Sequence, residues 1–470
     1  MPNHVCQESL ESRLFLTATP VNLDISHLTG NEGEPCITID KVHPNRIFAT
    51  SKITPEVGLL ASYSTDGGAT WNARRVADGN DNLPVAASDP YATYDGNGNL
   101  FFTYLSTNWL VTVTLSTDGG KSFKKIASFN GSVDQPTVAA DGKSVWVSWF
   151  EGNKVVAAGA PIKGLGKVGA FSFEKIEDSH KGNYGDIAIG PNGQVMVTYQ
   201  TPTVGEVKAT AVYEAVDPDG LGPKPFGPSV FVTDSNVEGD DDIPAQYTRF
   251  ADAEAGLAWD RTGGAHNGRV YMVYADEFPD ESNDHDIYLR YSDDNGASWS
   301  ARKRVNDDAG VNTQFLPRIA IDQTTGNLAL SWYDCRNDLG QGGEGDTDGV
   351  ANTDAQYWMA FATPNSGGGV SIGANIRVSA GTSSAQAANN RVGYGDYSAL
   401  DFHAGIARPG WADNSNSAGG NPEGALHGFD LYTAGVAYVA PVAPVSTLAA
   451  GTTPFSTTKH QDADLQSLLA

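Results

Sequence analysis

The 470-residue sequence has few cysteines, few basic residues and no long apolar run. No stretch approaches the ~18 consecutive apolar residues that a membrane-spanning helix needs. Apolar residues repeating at i, i+3 and i+4 over long stretches are also scarce, which argues against a helical protein. The 53 glycines, 24 prolines and 40% hydrophobic residues that remain predict an all-β chain with many turns and a large core.

Positive charge is scarce as well. The chain carries 56 acidic and 30 basic residues, a formal net charge of −26. A surface with this balance repels phosphate backbones, so no nucleic-acid partner is predicted. It suits a secreted protein, a cationic partner or bound Ca²⁺, which prefers carboxylate oxygens. Simple solubility explains most of these carboxylates.

The three cysteines are Cys6, Cys36 and Cys335. They show neither a CxxC spacing nor a histidine at zinc-ligand spacing, which excludes a typical structural zinc site. Two alternatives stay open for Cys36 and Cys335: a disulfide in an oxidising compartment, or two buried free thiols.

The two ends of the chain differ from the rest. The segment Leu10-Glu-Ser-Arg-Leu-Phe-Leu16 resembles the short Leu-Glu-x-Arg leader of many exported bacterial proteins, which implies a secreted or cell-surface location. We therefore interpret residues 1–20 as an export leader or disordered segment. Residues 441–470 begin rich in Pro, Ala, Ser and Thr and predict a linker-like, largely disordered tail.

A two-strand unit recurs between these ends. An apolar strand ends near an Asp, a Gly- or Asn-containing turn follows, and a second strand rich in Trp, Tyr and Val comes next. The clearest copies start at Pro35, Pro90 and Pro136, and there is room for two further strands between copies. Four strands per repeat at this spacing are typical of a β-propeller.

We count seven units over residues 21–440, with six blades as the alternative because the fourth copy is weak. The last unit shows only three strands, ending with 430–439. The segment Val21–Ile25 has no blade of its own, so we predict that it supplies the missing outer strand and closes the ring. Closure removes sheet edges that would otherwise aggregate.

Three octapeptides carry the same pattern: Ser64-Thr-Asp-Gly-Gly-Ala-Thr-Trp71, Ser116-Thr-Asp-Gly-Gly-Lys-Ser-Phe123 and Ser292-Asp-Asp-Asn-Gly-Ala-Ser-Trp299. Each lies between the third and fourth strands of a unit. Asp and Ser side chains bond the backbone of a tight turn there, glycine takes a positive φ, and the aromatic ring fills the space between sheets.

These octapeptides are Asp boxes (BNR repeats), and the chain resembles the sialidase-like Asp-box propellers. The resemblance implies that the boxes mark the fold and lie on the face away from the substrate. Such propellers include sialidases, other glycoside hydrolases, sugar-binding proteins and scaffolds, so the fold does not choose among these functions.

Strand direction predicts where a site would lie. If the Asp boxes define the bottom, the first strand of each blade starts at the top of the channel. The residues at those starts are mostly acidic: Glu34, Asp89, Asp134, Asp186, Asp252 or Glu254, Arg318 and Asp396. Capping of strand ends explains any one of them. Together they indicate either a carboxylate-pair glycosidase or a Ca²⁺ site at the channel mouth.

The resemblance also implies a catalytic set that this sequence matches only in part. A sialidase needs three arginines around the sugar carboxylate, a tyrosine nucleophile with a Glu, and an Asp acid/base. Arg318 and Arg336 match the arginine role, with Arg391 or Arg249 as the third. The candidate catalytic residues are Arg318, Arg336, Asp334, Asp89, Asp396 and Tyr394. The expected Arg-Ile-Pro signature is absent, because Arg46-Ile47 is followed by Phe48.

Other residues are candidates for binding the substrate or a metal ion. We expect Asp134, Asp186, Glu254 and Trp109 to bind substrate, with Trp109 as a stacking surface in a top loop. The Gly-rich loop 340–353 predicts calcium ligands at Asp346, Asp348 and Asp354, with a flexible acidic loop as the alternative.

Two functions stay open. One is an extracellular sialidase-like propeller that recognises glycans or hydrolyses glycosides at the top-face channel mouth. The other is a non-catalytic cell-surface propeller that binds a protein or polymer. Whether the chain is an enzyme is left open, and a monomer is expected.

Overall fold

The chain folds as a seven-bladed β-propeller. The computed structural model describes residues 20–131, 133–152, 154–179, 182–183, 185–201, 210–237, 241–246, 249–279, 282–338, 353–388 and 392–439. Each blade is an antiparallel sheet of four main strands, and in blades 1 to 6 their order in space follows the chain. The expectation of seven blades is confirmed, and the alternative of six is wrong.

In the first four blades, the four strands follow one another directly along the chain. Blade 1 comprises Asn31–Ile39, Ile47–Thr54, Leu59–Ser64 and Asn72–Val76; blade 2 Ala86–Tyr94, Leu100–Ser106, Leu110–Ser116 and Lys124–Asn130. Blade 3 comprises Val133–Ala140, Ser144–Glu151, Lys154–Pro161 and Ser172–Lys175; blade 4 Ile187–Ile189, Val195–Gln200, Thr210–Asp217 and Val230–Ser235.

Blades 5 to 7 carry small additions. Blade 5 comprises Gly256–Trp259, Val270–Glu277, His285–Ser292 and Lys303–Arg304; blade 6 Gln314–Ile321, Leu328–Asp334, Asp354–Pro364 and Val370–Ile372. Blade 7 comprises Ala399–His403, Ile406–Asp413, Asp430–Ala434 and Asn22–Asp24. The short strands Ile376–Arg377, Ser383–Ser384 and Val436–Ala437 pair within blades 6 and 7, and a hairpin, Asp241–Asp242 with Phe250–Ala251, precedes blade 5. The described helices are the 3₁₀ turn Pro244–Gln246 and the α-helix Ala385–Ala388.

The ring closes as predicted. The N-terminal strand Asn22–Asp24 pairs antiparallel with Asp430–Ala434, with Asn22 opposite Ala434 and Asp24 opposite Tyr432. Blade 7 is therefore built from both ends of the described chain, and its outer edge is covered.

Burial follows the position of a strand within its blade. The second strand of blade 2, Leu100–Ser106, is buried along its whole length, because each blade is covered on both faces by its neighbours. The fourth strand, Lys124–Asn130, is half-exposed with polar ends. The apolar core accordingly lies between blades: Phe48 of blade 1 packs against Phe102 and Phe123 of blade 2.

The first strands contact one another in sequence around the axis, from blade 1 to blade 7 and back to blade 1. They line the central channel. We call the face that carries the loops between third and fourth strands the bottom, and the opposite face the top.

All three Asp boxes form the expected turn on the bottom face. In the first, Asp66 accepts hydrogen bonds from the backbone N–H groups of Ala69 and Thr70, and Ser64 Oγ donates to Asp66 at 2.8 Å. These bonds lower the pKa of Asp66 to about 2. The glycine packs on the preceding blade: a Cβ at Gly120, where φ is 91°, would lie 2.5 Å from the ring of Phe48. The box therefore docks one blade on the next.

Both described cysteines are free and buried. Cys36 Sγ contacts the backbone of Ala92 on the neighbouring blade, and burial raises the pKa of its thiol to about 12. The structure therefore shows two buried thiols and no Cys36–Cys335 disulfide.

No helix among the described residues is long and apolar enough to cross a membrane. The predicted leader, apart from Pro20, and the predicted tail lie outside the described residues, as does Cys6.

Candidate functional site in the central channel

The top of the channel is shaped by β-bulges near the start of the first strands. In blades 1, 2, 3 and 6 the pairing shifts register at a residue that precedes a proline. These residues, Glu34, Asp89, Gln135 and Leu316, have φ between 44° and 55°. Proline has no N–H to leave unpaired, which suits it to a bulge. Such conformations cost about 1–3 kcal/mol each and often mark functional sites.

The bulges gather a first set of side chains, which we call the upper layer. It consists of Glu34, Asp89, Gln135, Glu254 and Asp396. Ligand oxygens of Glu34, Asp89 and Asp396 all lie within 4.8 Å of one another. Of the acidic residues predicted to ring the channel, these three therefore come together.

Two cations neutralise these carboxylates. Arg249 Nη2 lies 3.2 Å from Glu34 Oε1 and forms a two-pronged ion pair with Asp396. Lys52 Nζ lies 3.4 Å from the same Glu34 oxygen. Burial alone would raise the pKa of Glu34, but the charges of Lys52 and Arg249 lower it. Burial and the neighbouring carboxylates raise the pKa of Asp89 well above its usual range.

Gln246 fixes the segment that pairs with Arg249. Its amide Nε2 donates to Gly395 O at 2.7 Å, and its Oε1 accepts from Tyr394 N at 2.9 Å. Arg249 and Asp396 are thereby held in register although 147 residues separate them.

Glu254 completes the upper layer and differs from its neighbours. Its Oε1 accepts a hydrogen bond from Gln135 Nε2 at 3.2 Å, and no described cation lies within 4.0 Å of it. Burial raises the pKa of Glu254 to about 7, against the opposing charge of Arg318. Glu254 is therefore a carboxyl group that changes charge near neutral pH.

Asp134 and Asp186, which the sequence predicted to bind substrate, each accept hydrogen bonds from other residues of the protein. Asp134 Oδ2 accepts a hydrogen bond from Asn183 Nδ2 at 3.0 Å, at the half-buried rim of the upper layer. Asp186 accepts from the backbone N–H groups of Ile187 and Leu257 at 2.8 and 3.0 Å. Asp186 thus caps strand ends of blades 4 and 5.

Below the upper layer lies a lower layer formed by Arg318, Tyr91, Tyr397, Asp186 and Ser398. The guanidinium carbon of Arg318 lies 5.5 Å from the ring centre of Tyr91 and 5.2 Å from that of Tyr397. Its Nε donates to Ser398 O at 2.8 Å. The side chain is thus held between two aromatic rings.

The terminal nitrogens of Arg318 have no partner among the described residues. Neither Nη1 nor Nη2 has a hydrogen bond or a carboxylate within 4.0 Å there, although the residue is only 6% exposed. Neither nitrogen is sealed from solvent. Arg318 therefore presents its fork of N–H donors to the channel.

The channel below contains a cavity of about 470 Å³. Its walls are apolar side chains of the first strands, including Ile37, Leu257 and Ile319. Polar side chains lie at its two ends: Tyr91, Asp186 and Arg318 above, and Lys41, Asp95, Asp141, Arg261, Gln323 and Asp401 below. The lower group belongs to the hairpin turns of the bottom face, so the cavity extends from Arg318 to the side that carries the Asp boxes.

Arg336 and Asp334, two predicted catalytic residues, form a separate cluster in blade 6. Arg336 pairs with Asp334 at 2.8 Å and Asp307 at 2.7 Å, and its guanidinium lies over the ring of Trp358. Its partners do not overlap with those of Arg318, and the structure does not bring the two arginines together.

Tyr394 lies in the aromatic core. It is fully buried among Phe315, Tyr333 and Phe429. Burial raises the pKa of its phenol well above the usual range. Arg391, one of the two candidates for the third arginine, lies outside the described residues.

Aromatic side chains are exposed on the top face. Trp109, the predicted stacking residue, is 59% exposed in the loop between the second and third strands of blade 2. Phe278 occupies the same loop of blade 5 and is 71% exposed, and Phe250 beside Arg249 is also exposed. Sequence reasoning missed both phenylalanines.

The predicted calcium loop has one ligand in the described part of the chain. Asp346 and Asp348 lie outside the described residues. Asp354 is exposed at the start of the third strand of blade 6, and its N–H donates to Asp338 Oδ2 at 2.8 Å.

Sequence reasoning also missed Lys52, Gln135, Tyr91 and Tyr397. Tyr91 follows the bulge residue Asp89 by two positions, as Arg318 follows Leu316. The recurring residue-proline step could therefore have predicted that Tyr91 and Arg318 share a layer.

Comparison with known proteins identifies the repeat. Residues 62–73, which contain the first Asp box, match the family model described as BNR/Asp-box repeat. No curated protein sequence matches the chain.

Solved structures with a similar fold share 11–15% of their sequence with this chain. A GH93 α-L-arabinofuranosidase of Fusarium graminearum, in complex with arabinobiose, has 15% identity over 68% of this chain and 92% of its own, with a TM-score of 0.44. The phage phi92 endosialidase has 11% identity over 96% and 76%, with a TM-score of 0.44. The six-bladed Aleuria aurantia lectin, described with a fucose recognition mode, has 14% identity over 74% and 98%, with a TM-score of 0.39.

Proposed function

We propose that this chain, a sialidase-like Asp-box β-propeller, recognises glycans in its central channel, with Arg318 binding an acidic group of the sugar. One observation carries the proposal: Arg318 is almost fully buried, yet its terminal nitrogens have no partner among the described residues and face the channel. A planar guanidinium matches the two oxygens of a carboxylate.

The surroundings of Arg318 fit a sugar. The cavity of about 470 Å³ lies in the range that small-molecule sites occupy, with apolar walls and polar groups at its ends. Tyr91 and Tyr397 keep the guanidinium in one orientation, which lowers the entropic cost of binding. The cavity extends from Arg318 to the bottom face, so we propose that a glycan end enters the channel from that side. The sequence had favoured the top mouth.

Glycoside hydrolysis is the second candidate, favoured by the state of Glu254. A general acid works best with a pKa near the working pH, and burial raises that of Glu254 to about 7. Arg318 is near enough to oppose this shift electrostatically. Glu254 would then protonate the glycosidic oxygen as its bond to the anomeric carbon breaks. Water would add to that carbon and return a proton to the Glu254 carboxylate, while Arg318 holds the sugar.

A glycan array and a panel of fluorogenic glycosides, sialosides and uronides included, test both candidates. We expect binding of acidic glycans, and a loss of about a hundredfold in affinity in Arg318→Ala, because truncating a buried charged contact costs about 2–5 kcal/mol. Arg318→Lys should recover little, since an ammonium lacks the planar fork.

Arg336→Ala is the control variant, since it removes a half-buried arginine whose ion pairs, with Asp334, Asp307 and Asp308, lie apart from Arg318. Equal losses in Arg318→Ala and Arg336→Ala would contradict the site. If the wild type turns over a glycoside, Glu254→Gln should lower kcat and leave binding in place. If no glycoside in the panel is turned over, hydrolysis is rejected and glycan binding is not.

A secreted or cell-surface location is part of the proposal. Fractionation of bacterial cells that produce the full chain tests it, and recovery in the cytoplasmic fraction alone would contradict it.

A further inference from the structure

The bottom face of blades 2 and 3 carries a group of exposed lysines, which we call the lysine patch. Its members lie in the second Asp box and the start of the next strand, in the hairpin turn of blade 3, and in the loop between the third and fourth strands of that blade: Lys121, Lys124, Lys125, Lys143, Lys163 and Lys167. The ion pairs that lysines form in the described part of the chain involve Lys41, Lys52, Lys154 and Lys175 and none of these six.

The segments that carry the patch have a positive net charge in an acidic chain. Six lysines and three aspartates, a balance of +3 against −26 for the whole chain, lie within residues 95–99, 117–125, 141–143 and 162–171. The aspartates direct their oxygens into their own turns. Asp118 accepts from Ser122 N at 3.0 Å, and Asp141 accepts from Lys143 N at 2.7 Å. The lysine ammonium groups therefore keep their charge toward solvent.

Hydrogen bonds hold the loop of residues 162–171 in a fixed place. Lys163 N donates to Lys167 O at 2.8 Å, which closes a tight turn. Gly166 N donates to Asn99 Oδ1 at 2.6 Å, and Asn99 Nδ2 donates to Gly164 O at 3.3 Å. The loop of blade 3 thus docks on the hairpin turn of blade 2, and the lysines of both blades form one surface.

This surface borders the lower mouth of the channel. Gly142 lines the lower end of the cavity of about 470 Å³, and Lys143 follows it directly. Asn97 Nδ2 donates to Gly142 O at 3.0 Å, and Ile162 N donates to Lys143 O at 2.6 Å. The mouth, the hairpin turns and the lysine loop are therefore continuous. A ligand that leaves the cavity between blades 2 and 3 passes over the patch.

The opposite end of blade 3 shows what the patch lacks. Lys154 begins the third strand and Lys175 ends the fourth, both at the top. They pair with Glu177 at 3.6 Å and Glu151 at 3.4 Å. Lysines at the top thus have carboxylate partners within the protein, whereas the described residues give the patch lysines none.

The chemistry of the patch fits a polymer with repeated negative charges. An ammonium group is a compact point charge on a flexible stem, so it pairs with an anion without a fixed geometry. Proteins that bind single-stranded nucleic acid add aromatic side chains on which bases stack. The aromatic rings of these segments, Phe123 and Phe171, instead pack on Phe48 and Phe129. The surroundings therefore favour an acidic polysaccharide over a nucleic acid.

We propose that the lysine patch binds a linear acidic polysaccharide, with a carboxylate on successive sugars, whose end occupies the channel at Arg318. The position of that end rests on the proposed function. The channel holds the terminal acidic sugar, and the patch holds the sugars that follow it. Two contacts on one chain raise its affinity above that of a single sugar, because the second contact forms within the complex.

Calorimetric titration of the full chain with galacturonic acid and with oligogalacturonates of increasing length tests the patch. We expect affinity to rise with length. For long oligomers it should fall about tenfold between about 0.01 M and about 0.1 M NaCl, because the screening length shortens from about 30 Å to about 10 Å. Joint replacement Lys163→Gln and Lys167→Gln should weaken the long oligomer about fourfold, since each exposed ion pair contributes about twofold. Galacturonic acid itself should bind this variant as it binds the wild type.

Joint replacement Lys154→Gln and Lys175→Gln is the matched control, because it removes two lysines from the other end of the same blade. It should leave the affinity for oligomers unchanged. Equal losses in the two double variants, or oligomers that bind no tighter than the single sugar, would overturn the patch and leave the channel proposal standing.

Arg318→Ala separates the two proposals. It should weaken galacturonic acid and the oligomers alike. Oligomer binding that survives Arg318→Ala but falls in the Lys163 and Lys167 variant would reject the channel and support the patch. Tighter binding of single-stranded DNA than of an oligogalacturonate of equal charge would overturn the polysaccharide as the partner.

Discussion

The acids at the top of the channel and three acids at the join of blades 7 and 1 (Asp24, Glu32 and Asp430) are the same kinds of side chain, yet their surroundings differ. Glu34 is as buried as Glu32, but it pairs with Lys52 and Arg249 and accepts a hydrogen bond from Asp89 N. Glu32 has none of these partners. Buried carboxylates must be neutralised by a neighbour, a proton or a bound ion. The first group is neutralised by its basic neighbours, whereas burial and mutual repulsion raise the pKa values of Glu32 and Asp430 and so favour their protonated forms.

The strongest way to break this contrast is to remove the counter-charge of the channel acids. Arg249→Met leaves Asp396 and Glu34 with Lys52 alone. We expect a loss of about 3–5 kcal/mol in the free energy of unfolding, the usual cost of breaking a buried pair. Urea denaturation measures it. Arg302→Met, which breaks a more exposed ion pair with Asp276, should cost under about 1 kcal/mol. Equal losses of stability in Arg249→Met and Arg302→Met would show that the channel acids do not depend on their counter-charge.

A smaller effect compares Glu34 and Glu32 directly. Glu34→Gln should destabilise by about 2 kcal/mol because it loses two cationic partners. Glu32→Gln should stabilise by about 1 kcal/mol, because an amide is neutral without the proton that burial and Asp430 impose on the Glu32 carboxyl. Unfolding curves of both variants against the wild type give the two signs. Destabilisation of equal size in both would show that counter-charge does not distinguish the regions.

The smallest effect concerns Glu254, the channel acid without a cation of its own. Its folded pKa of about 7 lies above the ordinary 4.5, so its contribution to stability is complete below about pH 4.5 and is lost as pH rises through 7. Ionised Glu254 also competes for Arg318. We expect affinity for acidic glycans to fall about threefold between pH 6 and pH 8. In Glu254→Gln this pH dependence should vanish, and an unchanged profile in that variant would contradict the assignment.

The blades could be predicted from sequence because their causes are local. Three kinds of pattern predicted them: alternating apolar residues, glycine turns and the three Asp boxes. Each pattern depends only on residues within about ten positions of one another. Closure by the N-terminal strand followed from counting three strands in the last unit. These features gave seven blades and the correct closing strand.

The site was only partly predictable, because it depends on which distant residues meet. Glu34, Asp89 and Asp396 were found from strand direction, whereas their pairing with Arg249 spans 215 and 147 residues. The sequence around Arg336 did not distinguish it from Arg318, and only the ion pairs of Arg336 with Asp334 and Asp307 separate the two. Tyr394 is followed by Gly and Asp as an exposed turn would be, yet it packs in the core.

The closing strand also constrains how the molecule can form. Ser26 and Asp430, which meet at the join, are 404 residues apart in the chain. During synthesis the first six blades can stack on their neighbours as they emerge, but blade 7 waits for its third strand before residues 22–24 have a place to pair. Such a contact raises the contact order of the fold and delays its completion. Until then residues 22–24 and the open edge of blade 7 are available to other chains, so a second copy could exchange its N-terminal strand at this join.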